Sequence, residues 1–178
     1  SVADHPSSPT FELRPGTFAD RSVVDRLMEL YLYDCSEFDG YDVDEHGLYR
    51  YDDLDYYWME KDREVLVLKV EGKWAGIALI STETLLDGNE RSMDNFFIMR
   101  KYRRRGLGML VAQAIFDRTP ANWELCVLAG NTPATHFWRR TLAEYTDGEF
   151  REEQLDNEDW TGPVFSFSNR DTNVSHES

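Results

Sequence analysis

The residues with the clearest capacity for chemistry are Arg103-Arg104-Arg105-Gly106-Leu107-Gly108, three guanidinium groups running into a Gly-x-Gly turn. At the start of a helix, such a loop gathers successive backbone N–H groups at the positive end of the helix dipole. That arrangement suits a phosphate or pyrophosphate. Gly106 and Gly108 matter because a Cβ at either would forbid positive φ or hold the anion off the backbone. The arginines add charge to the donor array. Two other nucleotide loops do not fit: a P-loop needs Lys-Ser or Lys-Thr after its second glycine, and a dinucleotide-binding turn needs three glycines in G-x-G-x-x-G.

The loop needs an element on each side to position it. Asp94-Asn95-Phe96-Phe97-Ile98-Met99 is an apolar run of strand length, and Leu107, Leu110, Val111, Ala114 and Ile115 recur at helical spacing as far as Arg118. The spacing therefore predicts strand, tight loop and helix. A second unit of the same kind follows. Trp123-Glu124-Leu125-Cys126-Val127-Leu128 reads as a buried strand, and residues 131–140 as a helix with Asn131 or Thr132 as N-cap and Pro133 in its first turn.

The segment Arg103 to Gly108, R-x-x-G-x-G behind a strand ending in Ile98, resembles the [Q/R]-x-x-G-x-[G/A] segment of the GNAT superfamily of acyl-CoA-dependent N-acyltransferases. Asn131-x-x-Ala134-x-x-Phe137 is similar to that family's second cofactor segment. The resemblance implies an α/β fold: a mixed central sheet of about six to seven strands with splayed central strands, flanked by about four helices. It implies acetyl-CoA as acyl donor, with its pantetheine arm lying along Phe97, Ile98 and Met99 like an added strand. The loop Arg103, Arg104, Arg105, Gly106, Leu107 and Gly108, with Asn131, Ala134, Phe137 and Trp138, would complete the cofactor site.

Direct acyl transfer to an amine needs a neutral nucleophile, a donor for the carbonyl oxygen as charge develops, and a proton for the leaving thiolate. In the resembled family the donor is a backbone N–H near the Ile98 position. Asp94 is the expected base, because strand period two puts it on one face with Phe96 and Ile98, with Asn95 opposite. Glu37 and Asp34 compete for that role. Trp138 stands where many of these enzymes place a tyrosine acid, and an indole N–H cannot do that work. Tyr145, water, or unassisted departure of the thiolate are the alternatives. The same departure keeps open an acyl-CoA-binding sensor without transfer chemistry.

Residues 34–61 interleave acids with Phe38, Tyr41, Tyr49, Tyr51, Tyr56, Tyr57 and Trp58. One reading is an acceptor wall for a cationic amine, with Asp34, Glu37, Phe38, Tyr41 and Tyr57 as ligands. The other packs the aromatics on the sheet and leaves the acids in water. A net charge of −15 disfavours nucleic acid and anionic membranes and favours a cationic acceptor, either a small molecule or the lysine or N-terminus of a protein. Acidic surfaces also serve solubility alone.

Elsewhere Thr10–Arg14, Glu64–Val70, Lys73–Thr82, Glu144–Arg151 and Val164–Phe167 read as strands, and a helix begins near Thr17. With 178 residues and 41% hydrophobic content, a single domain over 10–168 is expected, between a flexible N-terminus at 1–9 and a flexible tail at 169–178. No apolar run is long enough for a membrane span, and the first residues carry no signal-peptide pattern, so a cytoplasmic location is the default expectation. Cys35 and Cys126 and the four histidines show no metal-ligand spacing. No metal is expected. Exposed final strands in the resembled fold often pair, which makes a homodimer an expectation.

Overall fold

A computed structural model describes residues 10–171. The chain runs β1 (Phe11–Pro15), α1 (Arg21–Asp39), α2 (Leu54–Met59), β2 (Glu64–Val70), β3 (Lys73–Ser81), β4 (Arg91–Ile98), α3 (Leu107–Asp117), β5 (Asn122–Cys126), α4 (Thr132–Thr146), β6 (Phe150–Asp156) and β7 (Thr161–Ser168). The strands form one mixed sheet in the order β1-β2-β3-β4-β5-β7-β6. Every neighbouring pair is antiparallel except β4 and β5. The two strands that pair in parallel are those that carry the predicted strand-loop-helix units.

Local chemistry explains the joints. Glu71 and Gly72 both take positive φ, 52° and 75°, the geometry of a tight hairpin turn between β2 and β3. Thr17 caps a short 3-10 turn that feeds α1, and Asn131 caps α4 by accepting a hydrogen bond from the Ala134 N–H at 3.1 Å.

Two apolar cores cover the sheet. On one face Leu107, Val111, Ile115 and Phe116 of α3 and Trp138 and Leu142 of α4 pack on Leu66, Ala78, Met93, Ile98 and Leu125. On the other, Val24, Leu27 and Met28 of α1 and Leu54 and Tyr57 of α2 pack on Val65, Val67, Ile77, Leu79 and Phe97. Large apolar residues on successive positions of β2 and β3 are thus buried on both faces, as a central strand requires.

Two expectations are corrected. Glu144 to Thr146 is not a strand but the last turn of α4: Thr146 Oγ1 donates to the Leu142 carbonyl at 2.7 Å, and Asp147 in the left-handed region ends the helix. The tail does not begin at Asn169. The Asn169 side chain accepts from the Ala121 N–H and donates to the Phe116 carbonyl, both at 2.8 Å, and Arg170 pairs with Glu90. The expected flexible N-terminus at 1–9 and residues 172–178 lie outside the described residues.

Candidate active site

β4 and β5 pair only at Arg91 with Trp123 and Ser92 with Glu124, and then part toward their C-terminal ends. The join is fixed by Glu124, a carboxylate only 1% exposed that accepts hydrogen bonds from the Leu85 N–H at 2.7 Å, the Leu86 N–H at 3.1 Å and Asn89 Nδ2 at 3.0 Å. Sequence reasoning missed it, although an acid within an apolar strand was its visible signal. Past the join, Asp94 to Ile98 line one side of a gap. Met99 N–H donates to the Ala75 carbonyl at 2.8 Å on the β3 side. Amide direction alternates along the strand, so the Ile98 N–H faces the gap. Gly76 lets β4 lie this close to β3, since a Cβ there would meet the Phe97 carbonyl at 2.2 Å.

At the open end of the gap stands the arginine-glycine loop. Gly106, at φ 72°, is the N-cap of α3, and no side chain caps that helix. Its first amides are therefore free to meet an anion, with the exposed Arg104 and Arg105 beside them. Gly108 serves differently from Gly106: a Cβ there would press on the Phe137 ring at 3.2 Å, so it permits α3 and α4 to approach. Leu107 is buried beneath the loop.

Arg103 is committed elsewhere. Its Nε donates to the Ile98 carbonyl and its Nη2 to Asp34, each at 2.6 Å, while the guanidinium lies 5.6 Å from the Phe97 ring centre. Asp34 also accepts from Arg100 at 2.8 Å. Against the upward push of burial, these arginines hold the Asp34 carboxyl below the usual range. Asp34 thus clamps the loop while it also lines the cavity beside α1, and Arg103 shapes the loop from behind.

Asp94 lies mid-strand and carries a β-bulge. Asn95 pairs with Leu79 and Met93 with Ile80, leaving Asp94 without a partner. The extra residue breaks period two. Asp94 therefore does not share a face with Phe96 and Ile98, which belong to the α3–α4 side; it points to the α1–α2 side, where the Tyr57 hydroxyl donates to it. Burial pushes its pKa up, while hydrogen bonds from Tyr57, Ser81 and Ser92 and the charge of Arg63 pull the other way. Asn95 turns to the same side, beside Tyr31, and its Oδ1 is buried without a partner. Cys126 lies across the gap, its thiol pushed up to about 12 by burial and by the charges of Asp94 and Glu124. A thiol so protonated is not a nucleophile near neutrality.

The other expected residues separate. Glu37 is exposed, in a shallow cavity of about 350 Å³ with Tyr33, Asp34, Ser36 and Arg100. Tyr41 lies in a second cavity of about 310 Å³ with Asp39, Asp42, Tyr49, Arg50 and Tyr51. Phe38 is half-buried on α1, whereas Tyr57 is only 5% exposed and faces Asp94 rather than open solvent. Several acids between 34 and 61 are occupied by local structure, as Asp44 is by the His46 and Leu48 amides and Arg50. Tyr145 is removed from the gap altogether. It sits at the far end of α4, donates to Asp117 at 2.6 Å and has its hydroxyl pushed up to about 12 by burial and that bond. Trp138 is in the core against Phe96, Phe116 and Phe137. Phe137 stacks on Phe96 at 6.0 Å, and Ala134 packs on the same core. Phe97 and Ile98 are buried on opposite faces.

A cofactor with a pyrophosphate and an extended amide arm fits these residues: a helix start behind Gly106 with no side-chain cap, two exposed arginines, and a strand edge with an N–H turned to the gap. The sequence matches the model of the acetyltransferase (GNAT) family over residues 26–143. The chain belongs to the GNAT family of acetyltransferases. It is accordingly a GNAT-type acyltransferase, of a family that uses acetyl-CoA. No curated protein matches it. Among solved structures it is similar to an acetyltransferase from Thermus thermophilus, with TM-score 0.66 and 17% identity over 90% of this chain and 98% of that one. The ribosomal-protein-S18-alanine N-acetyltransferase of Escherichia coli gives 0.61 and 15% over 93% and 98%. Spermidine N-acetyltransferase of Vibrio cholerae, solved with CoA and spermine, gives 0.57 and 13% over 88% and 93%. At these identities the likeness speaks for the fold. Among the described residues no cluster of side chains could hold a metal ion, and no helix is long and apolar enough to cross a membrane.

Proposed function

We propose that this GNAT protein transfers an acetyl group from acetyl-CoA to the primary amine of a small cationic acceptor, directly and within one ternary complex. What supports this reading is that β4 parts from β5 after Ser92, with the uncapped start of α3 just past the end of the freed strand and the largely buried carboxylate of Asp94 on that same strand. Bound acetyl-CoA would supply the thioester carbonyl. Gly106, the first amides of α3, Arg104 and Arg105 hold the pyrophosphate. The Ile98 N–H donates to the carbonyl oxygen as charge grows on it. Asp94 takes the proton that the ammonium must lose before it attacks, and burial makes it a stronger base than a surface carboxylate. In this reading the second proton, shed by the nitrogen as the amide forms, passes through water to the departing thiolate, since Trp138 is in the core and Tyr145 is at the other end of α4.

A cationic acceptor is supported by the net charge of −15 and by the exposed acids Glu37, Asp39 and Asp42 at the two cavities beside α1. A spermidine acetyltransferase among the structural neighbours agrees with this class without selecting it. One observation favours a second reading, a CoA-binding protein without turnover: the usual tyrosine acid is replaced by a buried tryptophan. Calorimetric titration with acetyl-CoA followed by a CoA-release screen over polyamines, aminoglycosides, amino-acid derivatives and short peptides separates the two. Binding with release on any amine supports transfer; binding without release on all of them supports the second reading, and no binding refutes both.

A further inference from the structure

We propose that Tyr57 is a positioning residue for the base, fixing the direction of the Asp94 carboxylate on the α1–α2 side of β4 and favouring its charged form. This inference rests on the reading of Asp94 as the base. It comes from a layered arrangement on the α1–α2 side of the sheet. The bulge leaves Asp94 without a strand partner, so its direction is not set by ladder pairing. What sets it is the hydroxyl of Tyr57, which donates to one carboxylate oxygen from the second turn of α2.

Tyr57 is itself tightly held. Its ring lies 4.9 Å from the Arg63 guanidinium, within the range of a cation–π contact, and 6.4 Å from the ring of Tyr51, whose hydroxyl interacts with its own. Arg63 is fixed in turn by Glu60 at 2.8 Å and Glu83 at 2.7 Å, with its side chain 11% exposed. A cation against the ring withdraws electron density and makes the phenol a better donor to a carboxylate. The burial of Tyr57 and its carboxylate neighbour keep its proton on the phenol, so the bond runs from Tyr57 to Asp94.

Among the groups facing Asp94, Tyr57 makes the leading hydrogen bond. Ser81 of β3 and Ser92 of β4 also donate to it, and Arg63 acts through its charge. Cys126 and Glu124 of β5 lie across the gap, Tyr31 of α1 sits beside Asn95 and Phe97 of β4, and none of the three offers it a cation. Loss of the Tyr57 hydroxyl therefore leaves burial less opposed, and the carboxyl becomes harder to ionise. A structural role alone would lower stability or activity without moving that ionisation.

The test is the Tyr57→Phe variant, which keeps the ring, together with Asp94→Asn. First, the carboxyl carbon of Asp94 is titrated by NMR in ¹³C-aspartate-labelled protein without any ligand. The expected result is a midpoint about one pH unit higher in Tyr57→Phe than in the wild type, the size of one hydrogen bond to a charged group. Second, on whichever amine turns over, the acid limb of kcat/KM is expected to move up by a similar amount, with the affinity for acetyl-CoA unchanged. An unmoved NMR midpoint in folded Tyr57→Phe overturns the positioning role, whatever happens to Asp94→Asn. If the midpoint moves but Asp94→Asn keeps full turnover, the base reading fails and the catalytic meaning of the bond fails with it. Tyr51→Phe, which leaves the Tyr57 bond in place, is expected to shift the midpoint far less; an equal shift would assign the effect to general disturbance of the cluster.

Discussion

Asp34 on α1 and Arg103 at the head of the glycine loop meet at 2.6 Å, and the same guanidinium holds the Ile98 carbonyl at the end of β4. One side chain thus ties the loop to the strand whose amide faces the gap, and an acid from the opposite layer keeps it in place. Charge-assisted bonds of this kind are worth about 1.5–3 kcal/mol when buried, and less here because Arg103 is 37% exposed on its side chain. Asp34→Ala is expected to weaken acetyl-CoA binding by about three- to tenfold without abolishing it. Calorimetry checks this. An amine ligand at Asp34 would instead raise the KM for the acceptor and leave cofactor affinity untouched.

Gly106 is at φ 72°, a conformation that a β-branched residue rarely adopts. Gly106→Val is expected to abolish measurable acetyl-CoA binding while circular dichroism remains that of a folded protein. Gly108→Val acts by another route, through the Phe137 ring, and is expected to lower the melting temperature as well.

Tyr145→Phe separates a structural hydroxyl from a catalytic one. The bond to Asp117 is lost, at a cost of about 1 kcal/mol, and kcat is expected to stay within about twofold of the wild type. A fall of a hundredfold would return Tyr145 to the site, against its placement at the far end of α4.

Acid is expected to loosen the join of β1 and α1. Asp20, its side chain 10% exposed, accepts from Arg14 at 2.6 and 3.1 Å and from the Thr17 amide at 2.8 Å, and the Arg14 guanidinium holds its carboxyl far below the usual range. A depressed carboxylate contributes stability above its unfolded value, about pH 4, and that contribution is lost as pH falls further toward the folded value. Asp20→Asn is expected to cost about 2 kcal/mol at pH 7, and the loss should shrink in denaturation curves recorded below pH 4.

The α/β class, the paired strand-loop-helix units, the Gly106 turn and the Asn131 cap were legible because each rests on local spacing or on a residue with a fixed backbone preference. The orientation of Asp94 was not legible. A bulge is a property of two strands in register, and the single sequence of β4 reads as an unbroken period of two. Asp34 and Arg103 are 69 positions apart, so nothing local announces their pairing. Tyr145 belongs to a segment whose sequence pattern reads as a strand. Once α4 continues through Thr146, at 1.5 Å per residue, that tyrosine is carried away from the mouth of the gap. The aromatics of residues 34–61 divided as well: Tyr57 turned inward to Asp94, whereas Tyr41 remained at the surface.

The most direct measurement is CoA release from acetyl-CoA over a panel of cationic amines, made in parallel on the wild type and on Asp94→Asn after calorimetry has shown that both bind the cofactor. Because burial pushes the Asp94 pKa up, the amide is expected to leave the melting temperature unchanged or higher. The account predicts turnover by the wild type on at least one amine and a loss of about 10²- to 10⁴-fold in the variant, the size of a missing general base. Equal turnover by both proteins, or none by either despite tight binding, would contradict it.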